Sequence, residues 1–175
     1  MLTLLLGGAR SGKSAFAVEI GRRHRGPVVF IATSPPSVDA EMDERIARHR
    51  ADRPEWPTIE EPYELAGAIH AGDDALAIVD CLTLWVSNLM ARGDNDEAIE
   101  AASINAIASA TRRSTTTVVI SNEVGLGVHP ETGLGLRYRD LLGRVNQQWA
   151  DAAGTALLLV AGRAVRLEDP WTYIG

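Results

Sequence analysis

The sequence contains only one cysteine and no long apolar run. Because Cys81 is the single cysteine among 175 residues, an intramolecular disulfide bond cannot form. This composition fits a reducing compartment, and we expect a cytoplasmic protein. The apolar run Leu2–Leu6 is far shorter than the roughly 20 residues that span a bilayer, and no basic region precedes it. We therefore expect neither a signal peptide nor membrane insertion.

Lysine is as scarce as cysteine. Lys13 is the single lysine among 17 basic residues, and all the others are arginines. A GC-rich genome would account for the arginine excess, yet the retention of lysine at position 13 predicts that arginine cannot replace it there. A compact ammonium fits a tight phosphate site, whereas a wide planar guanidinium does not. The lack of a second lysine also excludes the N-K-x-D guanine motif of GTPase switches.

Acidic residues outnumber basic ones. The formal net charge is −6 and the pI is about 5.2. This balance argues against nucleic acid or an anionic membrane surface as the main partner. A hydrophobic content of 46% with 23% charged residues is typical of a globular protein. Since no repeat or linker is present, we expect residues 1–175 to form a single domain.

Short apolar runs alternate with helical patterns along the chain. The runs lack polar alternation, as expected for strands buried on both faces of a parallel sheet. Alternating strands and helices imply right-handed crossovers and a doubly wound α/β fold, with ligands at the carboxyl ends of the strands. We predict strands over Leu2–Leu6, Val28–Thr33, Ala75–Asp80, Thr116–Ser121 and Thr155–Ala161, and helices over about 13–25, 39–53, 62–71, 81–92, 96–113 and 137–153.

A strong motif follows the first predicted strand. The segment GGARSGKS matches the P-loop pattern G-x-x-x-x-G-K-[ST] and lies between a strand and a helix, as the pattern requires. Its backbone N–H groups would cradle phosphates, Lys13 would bridge the β- and γ-phosphates, and Ser14 would ligate Mg²⁺. We therefore predict a P-loop, RecA-like fold with a mostly parallel sheet flanked by helices. The predicted nucleotide-binding residues of this loop are Gly7, Gly8, Ala9, Arg10, Ser11, Gly12, Lys13 and Ser14.

A second metal ligand is predicted at the end of the strand Ala75–Asp80. In P-loop proteins, a carboxylate in this position holds Mg²⁺ or its water shell. An aspartate here could instead cap the following helix. The presence of the P-loop favours the magnesium or nucleotide role for Asp80.

The segment 39–53 carries a candidate nucleophile. If the segment is helical, its apolar residues anchor it and His49 projects from its C-terminal half together with several arginines. Neutral imidazole is a good nucleophile, and it could attack a phosphorus atom while the arginines hold a triphosphate. The same pattern is compatible with a partly buried surface histidine. The alternative is therefore a monofunctional P-loop kinase for a small substrate, in which His49 is structural.

A further stretch follows the fourth predicted strand. Glu123 lies at the start of a loop rich in glycine and proline, and it could act as a general base or contact a second magnesium ion. Arg137, Arg139 and Arg144 could bind phosphates, or they could pair with Asp140 and its neighbours. The spacing does not decide between these alternatives.

Taken together, several segments resemble the bifunctional adenosylcobinamide kinase / adenosylcobinamide-phosphate guanylyltransferase family of cobalamin biosynthesis. They occur in family order and cover nearly the whole chain. The P-loop is generic, whereas the RI-x-x-HR and SNEVG-x-G-x-x-P blocks are much more specific. The segments are GGARSGKS (7–14), FIATS (30–34), EMDERIARHRADRP (41–54), TIEEP (58–62), DCLTLWVSNL (80–89), SNEVGLGVHP (121–130) and RYRDLLGRVNQ (137–147).

The resemblance implies two reactions at one site, in a homotrimer. A nucleoside triphosphate, ATP or GTP, first phosphorylates adenosylcobinamide. His49 then attacks GTP, and the resulting GMP–histidine passes GMP to adenosylcobinamide phosphate, giving adenosylcobinamide-GDP. The implied nucleotide contacts beyond the P-loop are Ala32, Thr33, Ser34, Arg50, Ala51, Asp52, Arg53, Glu60 and Asp80.

The chain departs from the family pattern at one place. Only one residue separates Pro54 from Trp56, where the family pattern has two. The nucleotide contact that we place at Glu60 could therefore fall on Glu61, while the position of His49 is unaffected.

Overall fold

The structure is a computed structural model that describes residues 1–34, 54–72 and 74–174. Within these residues, seven strands form one sheet in the order β3-β2-β4-β5-β1-β6-β7. The strands are β1 (Leu2–Leu6), β2 (Val28–Ala32), β3 (Thr58–Glu60), β4 (Leu76–Asp80), β5 (Thr117–Ile120), β6 (Thr155–Val160) and β7 (Arg163–Leu167). The described helices are α1 (Lys13–Arg23), α2 (Leu65–Ala71), α3 (Leu82–Arg92), α4 (Asp96–Arg112), α5 (Gly133–Ala152) and α6 (Trp171–Ile174).

The sheet is mostly parallel, as the sequence predicts. Strands β1 to β6 all run in the same direction, and β7 alone pairs in the antiparallel sense with β6. Strand β1 lies between β5 and β6, so that β5 separates it from β4. The carboxyl ends of the six parallel strands therefore meet at one edge of the sheet, and the loops that follow them share that edge.

Helices cover both faces of the sheet. On one face, Ala17 of α1 packs with Leu5 and Ile78 of the strands. On the other face, α2 to α5 bury a larger cluster that includes Trp85 and Trp149. The central strands β4 and β5 are buried almost throughout because their residues are apolar on both faces. The predicted doubly wound α/β architecture is confirmed.

The sequence prediction misses three short elements and the start of one helix. Strand β3 has three residues, and every residue of β7 is exposed, so neither has the long apolar run on which the prediction depended. Helix α6, Trp171–Ile174, has only four residues. Helix α5 begins at Gly133 rather than at residue 137 because the Thr132 hydroxyl caps it, accepting a hydrogen bond from the Gly135 N–H at 3.1 Å.

The other predicted elements agree with the structure to within about three residues at their ends, as expected for boundaries read from sequence. The predicted helix 39–53 lies outside the described residues. None of the helices in the described part of the chain has the length and apolar character needed to cross a bilayer.

Candidate active site

The P-loop connects β1 to α1, and its backbone permits no side chain at two of its glycines. Gly7 has φ 149°, and a Cβ atom there would collide with the backbone carbonyl of Leu159. Gly12, the N-cap residue of α1, has φ 99°, and a Cβ atom there would lie 3.3 Å from the Cα of Gly162. Both positions therefore favour glycine for their positive φ, and Gly7 also needs it for space. The loop is tightly packed against the β6–β7 hairpin.

Lys13 is buried inside this loop. Its Nζ donates hydrogen bonds to the carbonyl oxygens of Gly7 at 2.8 Å and Gly8 at 2.6 Å, and to the Ser11 hydroxyl at 3.2 Å. The side chain is only 7% exposed. Burial lowers the pKa of Lys13, and the charges of Cys81 and Asp80 act in the opposite direction. Because three acceptors at these distances surround a compact ammonium, we expect that the wider guanidinium of arginine would not fit.

The carboxyl ends of β2 and β4 are joined by Thr33. The Thr33 N–H donates to the Asp80 carbonyl at 3.1 Å, and the Thr33 hydroxyl donates to the Cys81 carbonyl at 2.8 Å. The same hydroxyl accepts from the Cys81 N–H at 2.9 Å. The N-cap position of α3 is Cys81 rather than Asp80. Asp80 is the last residue of β4, one position before the N-cap of α3.

The side chain of Asn88 strengthens the same edge. Its Nδ2 donates to the Thr33 carbonyl at 2.7 Å and to the Pro62 carbonyl at 3.2 Å. Asn88 thereby links the loop after β2 to the loop after β3. Sequence reasoning missed this residue, although an amide within the largely apolar helix 81–92 was a usable signal.

Glu123 follows β5 and lies against the P-loop. Its N–H donates to the Gly7 carbonyl at 3.2 Å, the same oxygen that accepts from Lys13. Its carboxylate accepts a hydrogen bond from the N–H of Gly125, which closes a tight turn. The structure thus brings Glu123 next to the phosphate loop, as the sequence predicts.

The two candidate glutamates at the end of β3 differ in their surroundings. Glu60 is exposed and is in register with Ala32, the last residue of β2. The Glu61 carboxylate accepts hydrogen bonds at 2.9 Å from the N–H groups of both Tyr63 and Glu64. Glu61 therefore stabilises the turn that precedes α2.

The three arginines of the segment 137–147 bind acidic side chains. Arg137 donates to Asp96 at 2.7 Å, and Arg144 donates to Asp96 at 2.7 Å and to Glu100 at 2.6 Å. Arg139 pairs with its neighbour Asp140 at 2.8 Å. The hydrogen bond from Arg137, followed by that from Arg144, lowers the pKa of Asp96. Of the two alternatives, the structure supports pairing with acids rather than phosphate binding.

The predicted site residues thus fall into three groups. The P-loop residues, Asp80 and Glu123 converge at the middle of the carboxyl edge. Ala32, Thr33 and Ser34 follow β2, and Glu60 lies on the edge strand β3. His49 and the contacts Arg50, Ala51, Asp52 and Arg53 lie outside the described residues. Within the described residues, no group of three or more His, Cys, Asp or Glu side chains is arranged to hold a metal ion.

A parallel sheet with a glycine-rich loop and a buried lysine after its central strand defines a P-loop nucleotide-binding protein. The strand order, with β5 between the P-loop strand β1 and the Asp80 strand β4, is that of RecA-like proteins. The fold is similar to that of a prototypical ATPase from the type III secretion system of pathogenic bacteria, with a TM-score of 0.59 and 10% identity. That alignment covers 91% of this chain and 51% of the ATPase chain, and it shows the fold alone.

The family follows from the sequence comparisons. The pattern of the CobU family, cobinamide kinase / cobinamide phosphate guanyltransferase, matches residues 3–167. The chain is 39% identical to the bifunctional adenosylcobalamin biosynthesis protein CobU of Escherichia coli (strain K12), over 96% of this chain and 100% of that protein. It is 38% identical to CobP of Pseudomonas aeruginosa, which carries the same description, over 96% of this chain and 98% of the relative. The chain therefore belongs to the cobinamide kinase / cobinamide phosphate guanyltransferase family.

The surroundings of Cys81 predict an unreactive thiol. Burial and, to a smaller extent, the neighbouring Asp80 carboxylate raise the pKa of the Cys81 thiol to about 11, against hydrogen bonds from Leu84 and Thr83 that lower it. Since the thiolate is the reactive form, alkylation by iodoacetamide at pH 8 should be roughly 100-fold slower than for an ordinary cysteine.

The rate should keep rising up to about pH 11, where an ordinary thiol would already have levelled off. Cys81 is the single cysteine, so mass spectrometry of the alkylated chain reports this site alone. The guanidinium-unfolded chain is the control and should react at the ordinary rate. Equal rates for the folded and unfolded chains at pH 8 would show that Cys81 is not shielded.

Proposed function

We propose that this chain phosphorylates adenosylcobinamide with a nucleoside triphosphate and then transfers GMP from GTP to the product, giving adenosylcobinamide-GDP. The observation that carries the proposal is the P-loop, in which the buried Lys13 lies next to Asp80 and Glu123 at one edge of the sheet. Membership of the family supports the choice of substrates.

In the kinase reaction, the hydroxyl oxygen of adenosylcobinamide attacks the γ-phosphorus and the bond to the β–γ bridging oxygen breaks. The N–H groups of the P-loop and the ammonium of Lys13 stabilise the charge that develops on the phosphate oxygens. Glu123 is the candidate base for the hydroxyl proton, because its backbone is bonded to the first residue of the loop. Lys13 must exchange its carbonyl partners for phosphate oxygens when the nucleotide binds.

In the guanylyltransferase reaction, His49 is the nucleophile. Its imidazole attacks the α-phosphorus of GTP and pyrophosphate leaves, so that GMP becomes bonded to the histidine. A phosphate oxygen of adenosylcobinamide phosphate then attacks the same phosphorus and displaces His49. The assignment of His49, and of Arg50 to Arg53 as nucleotide contacts, rests on the family resemblance.

Ser14 and Asp80 fit a magnesium ion that is shared with the nucleotide. Both supply oxygen ligands, the donor type that Mg²⁺ prefers, and Asp80 is close enough to Lys13 to affect its pKa. Mg²⁺ normally takes one or two protein oxygens together with water and phosphate, so two ligands suffice. When bound, the ion neutralises charge on the phosphates.

The remaining nucleotide contacts are proposed at the ends of β2 and β3. Ala32, Thr33 and Ser34 would contribute through their backbone, since the Thr33 hydroxyl is already bonded to Cys81. Glu60 is the position that the resemblance implies, and the Glu61 carboxylate already stabilises the turn before α2 by accepting from two backbone N–H groups.

We also propose that the protein is a cytoplasmic homotrimer, as the resemblance implies. The β6–β7 hairpin and α6 support an assembly, because both expose large apolar side chains. These include Val160 at 59% and Val165 at 60% exposure in the hairpin and Trp171 at 73% in α6. Large exposed apolar surfaces often mark an interface between proteins.

The covalent intermediate distinguishes this proposal from a monofunctional kinase in which His49 is structural. Incubation with GTP labelled at the α-phosphate and Mg²⁺ should give a protein-bound label that acid removes and base does not. His49→Ala should abolish the label, whereas the control His70→Ala, at an exposed position of α2, should retain it. An active wild-type kinase that takes up no label would show that the guanylyltransferase half is wrong.

The environment of Lys13 predicts that arginine cannot substitute for it. Lys13→Arg should lower the rates of both reactions by about 100-fold or more. Arginine keeps the positive charge, but its guanidinium cannot place that charge and its hydrogen bonds where the Lys13 ammonium would stabilise the transition state. Steady-state rates of phosphorylation and of label uptake measure this directly. Arg22→Lys, an exchange of one cation for another at an exposed position of α1, is the control and should leave both rates unchanged. If Lys13→Arg impaired only one reaction, a shared phosphate site would be contradicted.

A further inference from the structure

The structure joins three segments that lie far apart in the sequence. Asn146, on α5, is only 6% exposed. Its Nδ2 donates to the Asn122 carbonyl at 3.0 Å, and its Oδ1 accepts from the Ser121 hydroxyl at 2.6 Å. The Asn122 N–H in turn donates to the Thr83 hydroxyl at 2.9 Å. The buried amide of Asn146 is thus hydrogen-bonded to the two residues that follow β5. The second of these, Asn122, is hydrogen-bonded to the first turn of α3.

The same strand end is bonded to the P-loop strand. The Ser121 N–H donates to the Leu5 carbonyl at 2.9 Å, and the Glu123 N–H donates to the Gly7 carbonyl at 3.2 Å. The Gly7 carbonyl also accepts from Lys13 at 2.8 Å. Asn146 is therefore connected to Lys13 through Ser121–Glu123 and Gly7, although Asn146 lies on α5 and Lys13 lies on α1.

Asn146 interrupts an otherwise apolar buried face. The other fully buried residues of α5 are Leu141, Leu142, Val145 and Trp149. A buried amide is tolerated only when its polar atoms are bonded, and here both ends of the amide have partners. Asparagine suits this position because its uncharged amide offers a donor and an acceptor at the same time, which neither a carboxylate nor leucine does.

We propose that Asn146 is a positioning residue of the nucleotide site. It fixes Ser121 to Glu123 relative to the P-loop, so that Glu123 and the Gly7 carbonyl keep their places while Lys13 changes partners. The role of Glu123 in catalysis rests on the proposed function, whereas the positioning of the segment does not. A displaced segment would reduce turnover because small errors in the placement of reacting groups have large effects on rate.

The decisive variant is Asn146→Leu, which keeps the approximate size of the side chain but removes both the donor to Asn122 and the acceptor for Ser121. Hydrogen exchange followed by mass spectrometry should show about tenfold faster exchange in the peptide covering Ser121–Gly125, with β1 and β4 unchanged. The kcat of the kinase reaction should fall about 10- to 100-fold, while the Kd for a non-hydrolysable triphosphate changes less than about threefold. Asn105→Ala, at an exposed position of α4, is the matched control and should alter none of these.

Ser121→Ala removes only the hydrogen bond to the Asn146 Oδ1 and should give the same pattern with a smaller amplitude, so it replaces Asn146→Leu if that variant does not fold. Exchange that rises equally across the whole chain, or an unchanged kcat per folded molecule, would show that Asn146 is only a core residue. If wild-type protein fails to phosphorylate adenosylcobinamide, the proposed function is wrong, and the exchange experiment alone then decides the positioning.

Discussion

The hydrogen bonds from the Lys13 ammonium to the P-loop carbonyls are the interaction on which the site depends. A buried cation needs acceptors on several sides, and the loop supplies them by curling around the side chain. The curled loop also requires close packing against the residues of the β6–β7 hairpin. Gly7 must pass against Leu159, Gly12 must lie beside Gly162, and the Gly162 N–H must donate to the Ser11 carbonyl at 2.9 Å. The sheet order places the strands that meet these requirements next to one another.

Two reactions can share this loop because both place charge on a triphosphate that loses a group. In the proposed mechanism, the fixed N–H groups, the buried ammonium and a magnesium ion shared with the nucleotide would stabilise that charge whether the γ- or the α-phosphorus is attacked. The two proposed reactions differ in the phosphorus that is attacked and in the nucleophile, which is a substrate hydroxyl in one and His49 in the other. The carboxyl edge of the sheet carries one phosphate site in its described part, and the specificity of each step must come from how the nucleophiles approach it.

The sequence predicted the features that depend on local pattern. The strands from β1 to β6, except β3, were readable because their residues are apolar on one or both faces, and the P-loop was readable from glycine spacing. Strands β3 and β7 were missed because three residues or a fully exposed run leave no such pattern. The pairing of Arg144 with Glu100 and of Asn146 with Asn122 joins residues more than twenty positions apart. Such pairs depend on tertiary packing, which a single sequence does not reveal.

In the proposed mechanism, one phosphate site per chain serves both reactions. Equilibrium binding of a non-hydrolysable GTP analogue to the His49→Ala protein tests this sharing most directly, because that variant lacks the proposed nucleophile. We expect one bound analogue per chain, and we expect binding to be lost in the double variant that also carries Lys13→Ala. Two analogues bound per chain, or binding that survives the loss of Lys13, would contradict the shared site.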